Sequence, residues 1–297
     1  MRWLKPWLYS VAILIGLLSG CGKQHPLTQT NLLRRLPSEN AALLRLDIDA
    51  LRKAGILNLL SAGKASVDSE YQTFLNGTGF DYQRDLDEIL GSFSQAGTFL
   101  ILKGRFDWPK LEAYAGQNGG SCYDHLCRMP GSAAERRISY LPLAPNLMAM
   151  AVTNDDLAAS RMTKEGPARA IELPSQPVWL TVSGAALQKS TALPPASRIF
   201  TSALTAADAV TLTLGQAPAE GGYEAKLSAQ CKTDEDARVM SVQLTKLTGM
   251  LKSFMGKNKS EDFGSAIAAG SFSQSGTRVD GVWPIRKGLL ESLASAN

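Results

Sequence analysis

The order of strand-like and helix-like segments in the first part of the globular chain occurs again in the second part. Residues 41–164 predict strand, helix, helix, strand, strand, helix, strand, strand and helix, and residues 177–297 give the same order. The strand at Leu147 has its counterpart at Arg278, 131 positions on, and the strand at Thr98 has its counterpart near Glu224. The sequence therefore predicts two structurally similar halves, joined by a linker rich in turn-forming residues over 165–176.

Short strands separated by turns and single helices favour antiparallel pairing. We therefore predict an α+β fold in which each half has antiparallel strands with helices packed on one face. Residue identity between the halves is low, so an ordinary α+β chain that repeats this order by chance remains the alternative.

The N-terminus carries the pattern of a targeting segment. Arg2 and Lys5 precede an apolar run of twelve residues, 7–18 (WLYSVAILIGLL). A membrane-spanning helix needs about 20 apolar residues, so this run is too short to span and has the length of a signal-peptide core.

Leu18, Ser19, Gly20 and Cys21 follow this run. They resemble the lipobox of bacterial lipoproteins, in which two small residues fit the signal peptidase and the cysteine sulfur takes a diacylglycerol. The resemblance implies a signal peptide over 1–20 and a mature chain that begins at Cys21. An ordinary secretory signal with an incidental cysteine, or an uncleaved anchor, are the alternatives. The globular part resembles, weakly, uncharacterised exported two-lobed α+β families, which brings no activity with it.

The lipoprotein resemblance also implies a membrane location. Three acyl chains on the mature N-terminus would make attachment effectively stable. In Gram-negative bacteria an Asp after the lipidated cysteine usually retains the protein in the inner membrane, and here Gly22 stands at that position. We therefore expect the periplasmic face of the outer membrane in a Gram-negative host.

Residues 21–40 are predicted to be a polar tether, since they carry Pro26 and Pro37. Leu32, Leu33 and Leu36, with Arg34 and Arg35, have the spacing of one amphipathic turn. That turn either packs against the globular part or places its arginines on the lipid surface.

Besides Cys21, three cysteines remain in the mature chain, and export would place them in an oxidising compartment. Cys122 and Cys127 enclose four residues after an Asn-Gly-Gly turn signal, and we predict that they form a disulfide. A metal site with Asp124 and His125, or a redox pair, are alternatives, but their usual Cys-x-x-Cys spacing is absent. Cys231 is expected to be a buried free thiol at a strand end.

The remaining features argue against several functional classes. A net charge of +4 is too small to favour nucleic acid, and two histidines leave little material for metal sites. The acidic run of Asp81, Asp85, Asp87 and Glu88 lacks calcium-loop spacing and is interpreted as a solvated helix face or turn. No catalytic or nucleotide-binding motif is present. We expect no catalytic residues, no metal and no cofactor.

A helix beginning at Thr233 carries Met240, Leu244, Leu247 and Leu251 at helical spacing. The stripe is interpreted as a core face, with a groove for a lipid or peptide as the alternative.

The sequence is therefore best interpreted as a lipid-anchored cell-envelope protein that binds or scaffolds an envelope protein or an apolar ligand without catalysis. One alternative is a carrier of a lipid or other apolar ligand, with a cleft between the halves. Another is an envelope hydrolase, in which Asp124, His125 and nearby carboxylates would converge.

Overall fold

The computed structural model describes residues 27–57, 69–167, 173–189, 201–217, 222–255, 268–286 and 288. The predicted signal peptide, Cys21 and the first residues of the predicted tether lie outside the described residues.

The first half contains seven strands in the residues that the structure describes. The strands are β1 (Ala42–Asp47), β2 (Leu86–Ser94), β3 (Gly97–Gly104), β4 (Ser121–Tyr123), β5 (Leu126–Pro130), β6 (Arg137–Ala144) and β7 (Leu147–Thr153). The helices are α1 (Gln29–Leu33), α2 (Ile48–Lys53), α3 (Ser69–Thr78), α4 (Tyr82–Asp85), α5 (Trp108–Gln117) and a 3₁₀ helix (Ala158–Thr163).

The second half contains five strands and two helices in the described residues. The strands are β8 (Val178–Ser183), β9 (Ala207–Gln216), β10 (Tyr223–Cys231), β11 (Ser271–Ser275) and β12 (Arg278–Ile285). The helices are α6 (Gly184–Lys189) and α7 (Asp234–Met255).

All twelve strands form one antiparallel sheet, in the order β11-β12-β10-β9-β8-β1-β2-β3-β7-β6-β5-β4. Outward from the centre, the first half runs β1-β2-β3-β7-β6 and the second half runs β8-β9-β10-β12-β11. The five described strands of the second half are therefore in the same order as the first five strands of the first half, which carries the β5–β4 hairpin at its outer edge. The predicted α+β class with two similar antiparallel halves is confirmed.

The strand register is also the same in both halves. Leu44 and Leu180 pair directly where β1 meets β8. From Leu44 the pairing runs outward through Gly91, Leu100, Met150 and Tyr140. From Leu180 it runs outward through Leu212, Leu227, Gly281 and Phe272. Met150 and Gly281 are 131 positions apart, which is the offset that the sequence predicts for these strands. The halves are therefore related by a pseudo-twofold axis at Leu44 and Leu180.

The helices of both halves pack on the same face of the sheet. The α2 helix buries Ile48 and Leu51 against β1 and β2 neighbours, and α5 buries Leu111 and Ala115 beside Met148. In the second half, α7 buries Met240 and Leu244 over β10. Met240 and Leu244 of the α7 stripe thus lie in the core, as the sequence indicates.

The opposite face of the sheet is covered in the first half by α1 and the 3₁₀ helix. Their buried leucines, alanines and methionine contact Phe99 and Ile101 of β3. In the second half the same face presents polar strand residues, including Thr211, Thr213 and Ser228.

The prediction of a tether over 21–40 is wrong for its second part, because residues from Thr28 onward belong to the packed body. Thr28 caps α1, and Leu32, Leu33 and Leu36 are buried. Three leucines in one turn bury enough apolar area to hold the segment on the sheet.

The two arginines of this turn contact protein groups in the structure. Arg34 lies 3.1 Å from Glu165 and donates to the carbonyl oxygen of Gly166, while Arg35 donates to the carbonyl oxygen of Met162. The packed interpretation of the turn is therefore confirmed.

Candidate functional site

The predicted disulfide between Cys122 and Cys127 is present and joins the two strands of the β4–β5 hairpin. The two cysteines face each other across the ladder, and the hairpin forms one edge of the sheet. Disulfides persist in oxidising compartments, so the bridge indicates that the protein is exported.

The hairpin turn carries Asp124 and His125, on which the hydrolase hypothesis depends, and it does not place them in a cleft. Asp124 and His125 form the two-residue turn with φ of 47° and 63°. Both side chains are exposed, and His125 Nδ1 lies 3.2 Å from the Glu112 carboxylate. An exposed turn offers no cleft in which a nucleophile and a substrate could be held away from water.

Cys231 lies at the end of β10 as a buried free thiol, as the sequence predicts. Burial raises the pKa of its thiol, and the nearby Asp236 and Asp208 carboxylates act in the same direction. A thiol with a raised pKa is a poor nucleophile, so Cys231 belongs to the core and not to a reactive site.

A cleft of about 500 Å³ lies between the two halves at one end of the central strands. It forms because β8 begins at Val178, whereas its neighbours β1 and β9 continue to Asp47 and Gln216. The Tyr223 hydroxyl bridges this notch by donating to the carbonyl oxygen of Ala54, 3.3 Å away. Ligand sites commonly occur at such junctions, and this volume lies in the usual range for small-molecule sites.

One wall of the cleft is a charge cluster from the first half. Arg45 donates from Nε to Glu88, 2.6 Å away, and from Nη2 to Asp47, 3.0 Å away. A third donor, Nη1, contacts the carbonyl oxygen of Gln176 at 3.2 Å. Two carboxylates therefore share one guanidinium, which gives these three groups a formal charge of −1. Arg45 and Asp47 line the cleft, and Glu88 adjoins it through its contact with Arg45.

The second wall is a charge pair from the second half. Lys226 Nζ lies 2.5 Å from the Glu224 carboxylate, and the lysine side chain is 45% exposed whereas the glutamate side chain is 16% exposed. This wall is formally neutral. One ammonium donor contacts Glu224, so Lys226 keeps donors for a further acceptor.

The strand register fixes the separation of the walls. Arg45 pairs with Trp179, Trp179 with Thr213, and Thr213 with Lys226, so all four side chains lie on one face. Three strand spacings separate Arg45 from Lys226, which is about 14 Å at the usual spacing of a sheet. Gly215 pairs with Glu224 and is buried, because the side chain of Gln176 packs against it.

Uncharged polar groups lie between these walls. The side chains of Ser175, Gln176, Thr213 and Gln216 line the cleft. Within the described part of the chain, none of the four has a hydrogen-bond partner for its side chain. On the same face of the sheet, the buried indole N–H of Trp179 has no acceptor in the described part of the chain. The cleft therefore offers unused hydrogen-bonding groups between two charged walls.

The two halves show that the fold does not require these charges. By the shared register, Arg45 and Asp47 correspond to Thr181 and Ser183. Asp47 pairs with Glu88, whereas Ser183 pairs with Ala209. Asp47 and Ser183 both cap the helix that follows, so a hydroxyl suffices for the structural task.

The second wall shows the same asymmetry. Glu224 and Lys226 correspond to Gly97 and Phe99 of β3. Each charged wall therefore occurs in one of the two similar halves and not at the equivalent positions of the other. The fold that the halves share does not need these charges.

Sequence analysis did not identify this site. Glu88 was assigned to a solvated acidic run, and Asp85 of the same run is buried in an ion pair. Arg45, Glu224 and Lys226 are far apart in the chain and meet only through strand pairing. The sequence carried one signal for this site, which was the presence of charged residues within predicted strands, at Arg45, Asp47, Glu224 and Lys226.

Among the described residues no group of three or more histidine, cysteine or carboxylate side chains is placed to hold a metal ion. None of the helices in the described ranges has the length and apolarity needed to cross a bilayer.

No protein-family model and no curated protein matches the chain. A solved structure titled "Structure of crystal form I of TP0453" is similar, with 13% identity and a TM-score of 0.44. The alignment covers 90% of this chain and 97% of that chain. A likeness at this level does not carry a function from one protein to the other.

Proposed function

We propose that the protein is a lipid-anchored cell-envelope protein that binds a ligand in the cleft between its halves without catalysing a reaction. The Leu-Ser-Gly-Cys sequence ending at Cys21 supports the anchor, and the Cys122–Cys127 disulfide supports the compartment. Gly22 supports the periplasmic face of an outer membrane in a Gram-negative host.

The observation that carries the binding role is the presence of two charged walls that a duplicated fold does not need. The walls come from opposite halves and face one cleft at the sheet centre. Charges at half-buried positions are costly unless they are paired or used. The charged residues occur at one end of the central strands, and the positions equivalent to them by the pseudo-twofold axis are uncharged. This difference favours a role of the charges in ligand binding.

The pairing within each wall supports binding without catalysis. Each cation of the cleft contacts a carboxylate, so the charges stabilise one another without a reacting group.

The anchor is tested by the Cys21→Ala variant. We expect the wild-type protein to incorporate radioactive palmitate and to fractionate with membranes. Cys21→Ala should remain an unlabelled precursor, whereas Cys231→Ala, the matched control, should be labelled normally. Labelling of the Cys21→Ala chain would contradict the lipoprotein assignment.

The cleft is tested by native mass spectrometry of the protein extracted from envelopes in mild detergent. We expect a non-covalent adduct on the wild-type protein and its loss in Gly215→Phe and in Thr213→Tyr, which fill the cleft. Gly116→Phe is the control, because a side chain at Gly116 meets no neighbour within 4 Å. An adduct that survives both cleft variants, or no adduct on any form, would refute a ligand in the cleft.

A further inference from the structure

The two walls of the cleft differ in charge, and this difference gives a ligand a direction. The Arg45 wall holds two carboxylates for one guanidinium, and three donors of that guanidinium are already occupied. This wall attracts a cation. The Lys226 wall is neutral and keeps free ammonium donors, so it accepts an anion.

The distance between the walls sets the length of the ligand. The walls are three strand spacings apart, about 14 Å. An extended peptide spans about 3.3–3.6 Å per residue, so about four residues reach from one wall to the other. A shorter zwitterion, such as a free amino acid, cannot contact both walls.

The groups between the walls match a peptide backbone. Gln176 and Gln216 offer amide donors and acceptors, and Thr213 and Ser175 offer hydroxyls. On one side, the apolar α2 side chains Leu51 and Ala54 supply a non-polar surface for small side chains.

Resting on the proposed binding function, we propose that the ligand is a short linear peptide of about four residues with free ends. Its amino terminus lies at Asp47, and its carboxylate lies at Lys226. The main chain crosses Thr213 between them. Small side chains suit a cleft of about 500 Å³.

Isothermal titration calorimetry on the full mature protein, with tetra-alanine as the probe, tests this proposal. We expect tetra-alanine to bind, and N-acetyl tetra-alanine, tetra-alanine amide and di-alanine each to bind at least tenfold more weakly. Spermidine, which has cationic groups at both ends, should also bind at least tenfold more weakly. Equal binding of blocked and free tetra-alanine, or tighter binding of spermidine, would overturn the proposal.

The Lys226→Ala variant tests the direction of the peptide. It should weaken tetra-alanine at least tenfold and leave the affinity for tetra-alanine amide unchanged, because the amide has no carboxylate to lose. Lys232→Ala, an exposed lysine outside the cleft, is the matched control and should bind as the wild type does. A Lys226→Ala effect of equal size on both peptides would contradict the assignment of the carboxylate end.

The two proposals fail separately. A native adduct that Gly215→Phe removes, together with no binding of tetra-alanine, would leave a ligand-binding cleft and overturn the peptide as its ligand. Absence of both would remove the binding function itself.

Discussion

Asp85 is the one charged side chain in the described residues that is buried, with 8% exposure. Its carboxylate accepts from Arg84 at 2.7 Å and from the backbone N–H of Asp81 at 3.0 Å. Hydrogen bonding from Arg84 lowers the pKa of Asp85 below its usual value, although burial acts in the opposite direction. The carboxylate therefore stabilises the fold in its ionised form.

We expect Asp85→Asn to lower the free energy of unfolding at pH 7 by about 1–3 kcal/mol, because a charged acceptor is lost. The folded pKa is below the unfolded pKa, which is about 3.9. The stabilisation is therefore complete above about pH 5 and is lost as the pH falls through the folded pKa. Urea unfolding from pH 7 down to pH 2 should show wild type and variant converging at the acid end.

Asp156→Asn is the control for this measurement, since that carboxylate is 46% exposed and lies 3.5 Å from Arg128. Its effect should stay below about 0.5 kcal/mol. A pH-independent difference for Asp85→Asn would show that packing, and not charge, stabilises this position.

At the scale of elements, the β4–β5 hairpin has two non-glycine residues with positive φ, Asp124 and His125. Two-residue hairpin turns of this type favour glycine at the second position, because glycine adopts positive φ without steric cost. The disulfide holds the two strands together across this turn.

We expect His125→Gly to stabilise the protein by about 0.5–1 kcal/mol in thermal or urea unfolding. The lost contact with Glu112 is exposed and contributes little. Gly119→Ala, which puts a side chain at φ of 75°, should change stability in the opposite direction. Destabilisation by His125→Gly would show that the contact with Glu112 matters more than the backbone.

The contribution of α1 to stability distinguishes a tether from a part of the core over residues 28–36. We expect Leu33→Ala to cost about 2–5 kcal/mol, because the side chain is 2% exposed and leaves a cavity when truncated. Leu27→Ala, at a residue that is 45% exposed, should change stability by less than about 0.5 kcal/mol. Equal, small effects in urea unfolding would return this segment to the role of tether.

At the scale of the whole molecule, β1 and β8 join the two halves into one sheet. Arg45 and Leu46 of β1 pair with Trp179 and Val178 of β8. Separate halves would expose these strands as sheet edges, which are sites of aggregation. The halves are therefore expected to unfold together.

We expect Thr181→Pro in β8 to cost at least about 3 kcal/mol, because proline removes a ladder donor in a central strand. Hydrogen exchange should show lost protection in both β3 and β10. Ser273→Pro in the edge strand β11 should cost less and leave β3 protected. Lost protection confined to β10 after Thr181→Pro would contradict cooperative unfolding of the two halves.

The duplication could be predicted because its signals are local. Alternating polarity indicates a strand whatever its pairing partner. Asp107 in the first half and Thr233 in the second half each cap the helix that follows. The β4–β5 strands were not predicted, because three to five residues with two cysteines carry little alternation. The packed α1 segment was predicted as a tether because its prolines are as typical of linkers as of turns.

The sequence by itself determined the paired cysteines and the repeated α+β order, because each depends on residues that are close together in the chain. Only the tertiary structure decided which charges meet. Arg45, Asp47, Glu224 and Lys226 come to one cleft through strand register and because β8 begins only at Val178, short of the ends of its neighbours. Register depends on the summed pairing of whole strands, which no short stretch of residues encodes.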